Sequence, residues 1–259
     1  MISIILTEFE KIKRYELLWI GYAAMLLSGL FSLFQITAGN DPGQPLYQNL
    51  VNSVIWNNYS LFLPFVITLI GGSLISREYT DQTLKTILPI PISFRKLLAG
   101  KLITLGIISA VAGVFSFLCT TVLWLAFFHE GVVFSDLLKA LLQISGMSLF
   151  NFVAVLPIIL LFSRKPNAFF AGAGLAFVYG FCGIFVAGRN LADYYPVTAG
   201  LGIIGFSGDT GSKVISYNPL MGWLVLAAVL VISVVILLLT KYDPDGSQPK
   251  QKNMKKNGH

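Results

Sequence analysis

Six stretches of this sequence stay apolar for about the thickness of a bilayer, and no other feature constrains the fold as strongly. A hydrocarbon core is spanned by a helix of about 20 mostly apolar residues. Runs of that kind fall at about Leu17–Ala38, Tyr59–Ile75, Leu102–Phe128, Leu137–Phe162, Ala168–Ala187 and Leu220–Thr240. The second is short unless it starts near Val54, where the preceding residues are mixed. In lipid every backbone N–H and C=O must be satisfied internally, so such runs take the form of helices. Composition agrees, with 55% apolar residues, 12% charged residues and a mean hydropathy of +0.75. A soluble chain of 259 residues would need far more polar surface to cover its core. The expected fold class is an all-α integral membrane protein with six transmembrane helices.

Basic residues set the expected orientation. Lys11, Lys13 and Arg14 precede the first run, and Arg77, Lys85, Arg95, Lys96 and Lys101 separate the second from the third. Arg164 and Lys165 join the fourth to the fifth, and Lys241, Lys250, Lys252, Lys255 and Lys256 follow the sixth. The segments Gly39–Val54 and His129–Asp136 hold neither Lys nor Arg, and the last external segment holds only Arg189 and Lys213. Lys and Arg are retained on the cytoplasmic side, so both termini are expected there, as an even number of spans also requires. The first run is longer than a signal-peptide core and lacks a small-x-small cleavage site, so it is expected to remain as a span. Before it, Ile2, Ile5, Phe9 and Ile12 recur at helical spacing, which suits an interfacial amphipathic helix. The predicted organisation is an interfacial helix over 1–16, a six-span domain over 17–240 and a basic, solvated tail over 241–259.

Several functions are argued against. The net charge of +6 is spread over short segments between spans, a topological pattern rather than a nucleic-acid footprint. Cys119 and Cys182 lie inside apolar runs and make no paired motif. His129-Glu130 has no HExxH partner, and no Ser/His/Asp or G-x-S-x-G arrangement occurs. Gly100-Lys101 lacks the upstream glycine and the following Ser or Thr of a phosphate loop. No cofactor is expected on this chain, and any nucleotide energy must come from another polypeptide.

One loop carries chemical information. It reads Ser76-Arg77-Glu78-Tyr79-Thr80-Asp81-Gln82-Thr83-Leu84-Lys85-Thr86-Ile87-Leu88-Pro89-Ile90-Pro91. Thr80 or Asp81 can cap a helix start. Leu84, Ile87 and Leu88 then share one face, and Pro89 and Pro91 end the helix. The result is a short amphipathic helix between two rigid breaks at the cytoplasmic surface. Two uses suit it: docking into a groove of a soluble partner, or lying in the interface with its basic residues enforcing topology.

Glu78-Tyr79-Thr80, Thr83-Leu84, Leu88-Pro89 and the stretch from Arg95 to Gly100-Lys101 resemble the first cytoplasmic loop of ABC-2 type permeases. Gln82 departs from that pattern, where a glycine is common. The resemblance implies that the loop is the coupling element of an ATP-driven exporter. Arg77, Glu78, Tyr79, Thr80, Thr83, Leu84, Ile87 and Leu88 would form it. It further implies two ATP-binding subunits that carry ATP and Mg, a second permease copy or a related one, and a bacterial cytoplasmic membrane. Length and topology also resemble the permeases of lantibiotic and bacitracin self-protection exporters.

The remaining polar positions are weighed as packing features. Asn151 and Pro157 in the fourth run mark either a pathway or a helix contact, Gln35 lies near the outer end of the first, and Lys139 can snorkel to the interface. Ala171, Gly172, Ala173, Gly174, Gly180 and Gly183 allow close helix approach in the fifth run. Val197 to Phe206 is apolar but too short to span, and is expected to dip back into the outer leaflet. This agrees with the re-entrant helices of ABC-2 permeases. Two other classes stay open at this level: a secondary transporter, which predicts broken helices and polar residues at mid-membrane, and a non-transporting anchor or signalling subunit. Few polar residues are expected at mid-span.

Overall fold

The computed structural model describes residues 7, 8, 10, 16–38, 46–80, 94–162, 168–187, 191–206 and 217–240. Regular structure among them is entirely helical: α1 Glu16–Ala38, α2 Tyr47–Asn57, a π-helical turn Asn58–Phe62, α3 Leu63–Thr80, α4 Phe94–Phe128, α5 Phe134–Phe162, α6 Ala168–Ala187, α7 Pro196–Ile203 and α8 Pro219–Leu239. Within the described residues, six helical runs are long and apolar enough to cross a membrane, the number the sequence predicts. Most of the predicted interfacial helix, and the whole basic tail, lie outside the described residues.

The second span differs from expectation. It starts at Tyr47, not near Val54 or Tyr59, and runs to Arg77 through α2, the π-turn and α3. The expected external loop Gly39–Val54 is therefore shortened by a helix. Gln48, Asn49, Asn52, Asn57 and Asn58 lower the local hydropathy, yet this span is the interior axis of the bundle. Its apolar window is 83% buried, against 22% for the last span. A helix whose surroundings are other helices can carry amides that a lipid-facing helix cannot, because neighbours satisfy them.

The interior divides into two apolar cores. One gathers Leu63, Ile67 and Ile70 of α3 with Leu105 and Ile108 of α4 and Ile159 of α5. The other gathers Leu50, Val54 and Ile55 of α2 with Trp124 of α4, Ile144 and Met147 of α5 and Leu201 of α7. Small residues bring the helices together. A Cβ on Gly113 of α4 would stand 2.8 Å from Ser145 Cα of α5. One on Gly180 of α6 would stand 2.6 Å from the Ser60 carbonyl oxygen and 2.7 Å from Pro64 Cγ. The fifth-span small residues thus pack within the chain at Gly172, Ala173, Gly180 and Gly183, while Ala171 and Gly174 are exposed.

The apolar stretch before the last span forms α7, with Val197, Thr198, Ala199, Gly200 and Leu201 buried. It packs on α5, α6 and α8. Pro196 starts the helix, where a missing N–H is harmless. Its end is a Schellman turn: Gly205 has φ +62, Phe206 N–H donates to Leu201 O, and Gly205 N–H donates to Gly202 O.

Candidate functional site

Between the two cores lies a layer of polar side chains at mid-depth. α1 contributes Ser28 and Ser32, the second span Asn57 and Asn58, α4 Ser116, and α5 Ser148 and Asn151, all buried. Asn58 joins three spans. Its Oδ1 accepts from Ser28 Oγ at 2.7 Å, and its Nδ2 donates to Ser116 Oγ at 2.9 Å. Asn57 Nδ2 donates to Ser32 Oγ at 2.8 Å and to Gln35 Oε1 at 2.9 Å. Ser109 and Ser148 clasp α4 to α5, each hydroxyl donating to the other's carbonyl, at 2.9 and 2.6 Å. The seven side chains of this layer carry no charge, and the amides of Asn57 and Asn58 are bonded to serine and glutamine side chains of other helices. An unpaired amide in an apolar setting costs several kcal/mol (roughly 2–7), which is the physical reason for Asn57 and Asn58 to face hydroxyl and amide partners on other helices.

The π-turn sits in this layer. Leu63 N–H donates to Asn58 O, five residues back. A π-turn inserts a residue into the helix and frequently marks a functional site. Here it places two consecutive asparagines against α1 and one of them against α4. The turn's Ser60 carbonyl faces Gly180, so the absence of a side chain on α6 is what lets the two elements meet at that level.

The Arg77 end of the bundle carries an ion pair. Lys101 Nζ lies 2.7 Å from Glu8 Oε2, and both side chains are 4% exposed. The bond ties the N-terminal segment to the base of α4. Arg77 is exposed at the end of the second span, and the backbone of Glu78, Tyr79 and Thr80 continues α3. The capping start expected at Thr80 or Asp81 is thus replaced, at Thr80, by the last residue of α3. Thr83, Leu84, Ile87 and Leu88 lie outside the described residues.

At the opposite end, Gln143 of α5 holds α7 in place. Its Nε2 donates to Ile204 O at 3.1 Å and to Gly205 O at 3.3 Å, and its Oε1 accepts from Gln48 Nε2. Aromatic rings pack beside it, with Trp56 5.3 Å from Tyr59 and 6.4 Å from Phe206, and Tyr179 5.0 Å from Tyr195. Burial, with Asp193 adding to it, pushes the Tyr217 phenol up to about 12, and burial raises Tyr195 as well. Both phenols therefore act as neutral donors, to Ala187 O and Tyr179 O.

The sequence-predicted residues of the fourth span separate in role. Asn151 is fully buried, but its Nδ2 reaches only Met147 O of its own helix, at 3.4 Å, and its Oδ1 has no partner. Among the described residues it makes no hydrogen bond across helices. Pro157 lies inside α5 without ending it. Lys139 is exposed, away from the interior. Sequence reasoning missed the layer built by Ser28, Ser32, Asn57, Asn58, Ser116 and Ser148. The expectation of few polar residues at mid-span is corrected, because the second span starts at Tyr47 and carries Asn57 and Asn58 in its interior, both of which a span starting at Tyr59 leaves out. The signal was present as two adjacent asparagines and serine spacing (Ser28, Ser32) in runs otherwise apolar.

Comparison with protein families finds a match over residues 4–183 to the family described as ABC-2 family transporter protein. The matched region takes in the first four spans, the loop after the second, and most of the fifth. Comparison with curated proteins gives no match.

Proposed function

The chain belongs to the ABC-2 transporter family, and from that premise we propose that it is the membrane half of an ATP-driven exporter. It is a multi-pass membrane protein and a permease component of an ABC transporter. Permeases of this family generally work with an ATP-binding subunit. The single observation that carries the reading is the family match across the loop and the spans that flank it.

Two ATP-binding subunits hold ATP and Mg, and two permease copies, identical or related, build the path in a bacterial cytoplasmic membrane. The segment Arg77 to Leu88 receives the ATPase, with Glu78, Thr83 and Leu84 at its centre and Arg77, Tyr79, Thr80, Ile87 and Leu88 around them. α3 runs unbroken to Thr80, so a push at that loop acts directly on the interior axis of the bundle. Nucleotide binding then switches the paired permeases between inward- and outward-facing states as rigid bodies. The substrate is hydrophobic or amphipathic, and a peptide antibiotic of the lantibiotic or bacitracin kind fits that description. An ion-coupled carrier is less well supported, since the mid-depth polar layer holds no Asp, Glu, His, Lys or Arg among the described residues, and Asn57 and Asn58 are bonded to Ser28, Ser32 and Ser116.

The test is affinity purification of the tagged chain in mild detergent, comparing wild type with Glu78→Ala and Leu84→Asp. A co-eluting ATPase that is lost or uncoupled in the variants is the expected result. A chain that elutes alone, with both variants behaving as wild type, would overturn the coupling role.

A further inference from the structure

The outer surfaces of α4, α5 and α8 enclose a lateral slot of about 190 Å³, lined by Leu102, Ile103, Phe152, Leu160, Ser233 and Val234 among others. It runs along α5 from Phe152 to Leu160, about 12 Å at 1.5 Å per residue. That is most of the roughly 15 Å that one leaflet contributes to a hydrocarbon core of about 30 Å. Its single hydroxyl is already spent: Ser233 Oγ donates to Val229 O in its own helix at 2.7 Å. The slot therefore offers methylene and methyl surface and no free polar group. Beside it, Ile107 and Val111 of α4 and Val231 and Val235 of α8 are exposed apolar residues, the faces that meet lipid.

The mouth of the slot is cationic. Arg95 and Lys96 are exposed in the first turn of α4. Each stands seven residues before a lining residue, Arg95 before Leu102 and Lys96 before Ile103. Seven residues are two helical turns, so each cation lies on the same stripe as its lining residue, about 10 Å toward the helix end. Neither cation makes an ion pair with a described residue. α5 ends at Phe162 and α8 at Leu239, so all three helices terminate at this same end.

We propose that this slot is a binding site for one anionic phospholipid of the adjoining leaflet, an acyl chain lying in the slot and the phosphate headgroup resting on Arg95 and Lys96. The charge arrangement selects the occupant: a neutral apolar ligand has no use for the two cations, and a soluble anion has none for the slot. A space this narrow takes a methylene chain, not a partner helix about 10 Å across. Surface cations near a membrane attract anionic headgroups, and buried methylenes add to the affinity. The site lies on the start of α4, which follows directly from the loop after the second span, so lipid bound there bears on the element next to that loop.

The test is native mass spectrometry of the full chain, with whatever subunit co-purifies, offered equal amounts of dioleoyl phosphatidylglycerol and dioleoyl phosphatidylcholine. Wild type should retain one phosphatidylglycerol per chain roughly thirtyfold more tightly than phosphatidylcholine, the discrimination that two surface cations supply. Arg95→Gln with Lys96→Gln should bring the two lipids to parity. Val234→Trp, which fills the slot from a lipid-facing position, should lower retention of both by roughly tenfold, the worth of about two excluded methylenes. Leu230→Trp serves the same purpose should the first tryptophan lower the melting temperature. Parity of the two lipids in wild type would overturn the proposal. So would undiminished retention in both tryptophan variants, or loss of a permease dimer in place of lipid, which would make the slot a subunit contact.

Discussion

At the scale of single residues, the polar layer separates side chains that bond across helices from those that do not. Asn58 bridges Ser28 and Ser116, whereas the neighbouring Tyr59 hydroxyl is fully buried and has no partner. Asn58→Leu should therefore destabilise the fold by about 1–2 kcal/mol, the worth of interhelical hydrogen bonds in lipid. Tyr59→Phe removes an unsatisfied hydroxyl and should be neutral or slightly stabilising. Unfolding by titrated sodium dodecyl sulfate in mixed micelles measures both. Equal losses for the two would mean that the layer's bonds contribute nothing beyond packing. Asn58 was visible in the sequence as a polar residue at the edge of an apolar run. Its partners were not, since Ser28 lies 30 residues before it and Ser116 58 residues after.

At the scale of elements, the Glu8–Lys101 pair decides where the N-terminal segment sits. Removing one partner of a buried pair leaves an uncompensated charge and costs about 3–5 kcal/mol, whereas replacing both with apolar residues is often neutral. Lys101→Met should therefore raise hydrogen exchange at residues 7–10 and lower the melting temperature, and Glu8→Leu added to it should recover most of the loss. A double variant no better than the single one would show that the pair does not hold the segment. The sequence marked Lys101 as one of the basic residues that set orientation and as part of a Gly-Lys pair in a resemblance, and nothing local pointed from it to Glu8. Their distance along the chain, 93 residues, kept the contact out of reach of any local pattern. The start of the second span was hidden for a related reason, since hydropathy scores a residue against lipid even where its surroundings are protein.

At the scale of the molecule, six spans and the distribution of Lys and Arg predict which loops face the cytoplasm. Glu10 and Asp136 are exposed at the two ends of the bundle and report on this directly. In a background with Cys119→Ser and Cys182→Ser, Asp136→Cys should react with a membrane-impermeant maleimide in intact cells. Glu10→Cys should react only after permeabilisation. The reverse pattern would invert the orientation and with it the side on which an ATPase can dock. Because α8 is mostly exposed, its outward face should tolerate apolar exchange that the second span does not, apart from positions such as Val234 that border the slot.

What the sequence determined by itself was the number of spans and their helical form. Each is a local property, set by some twenty residues acting on their own backbone and on lipid. The short buried helix α7 was also readable, as an apolar stretch too brief to span. Only the tertiary structure decided that the second span begins at Tyr47, that Asn57 and Asn58 face serines on other helices, and that Glu8 reaches Lys101. Those outcomes depend on what surrounds a side chain. A polar group is costly against lipid and acceptable against a partner, and the partner's position is set by the folded bundle.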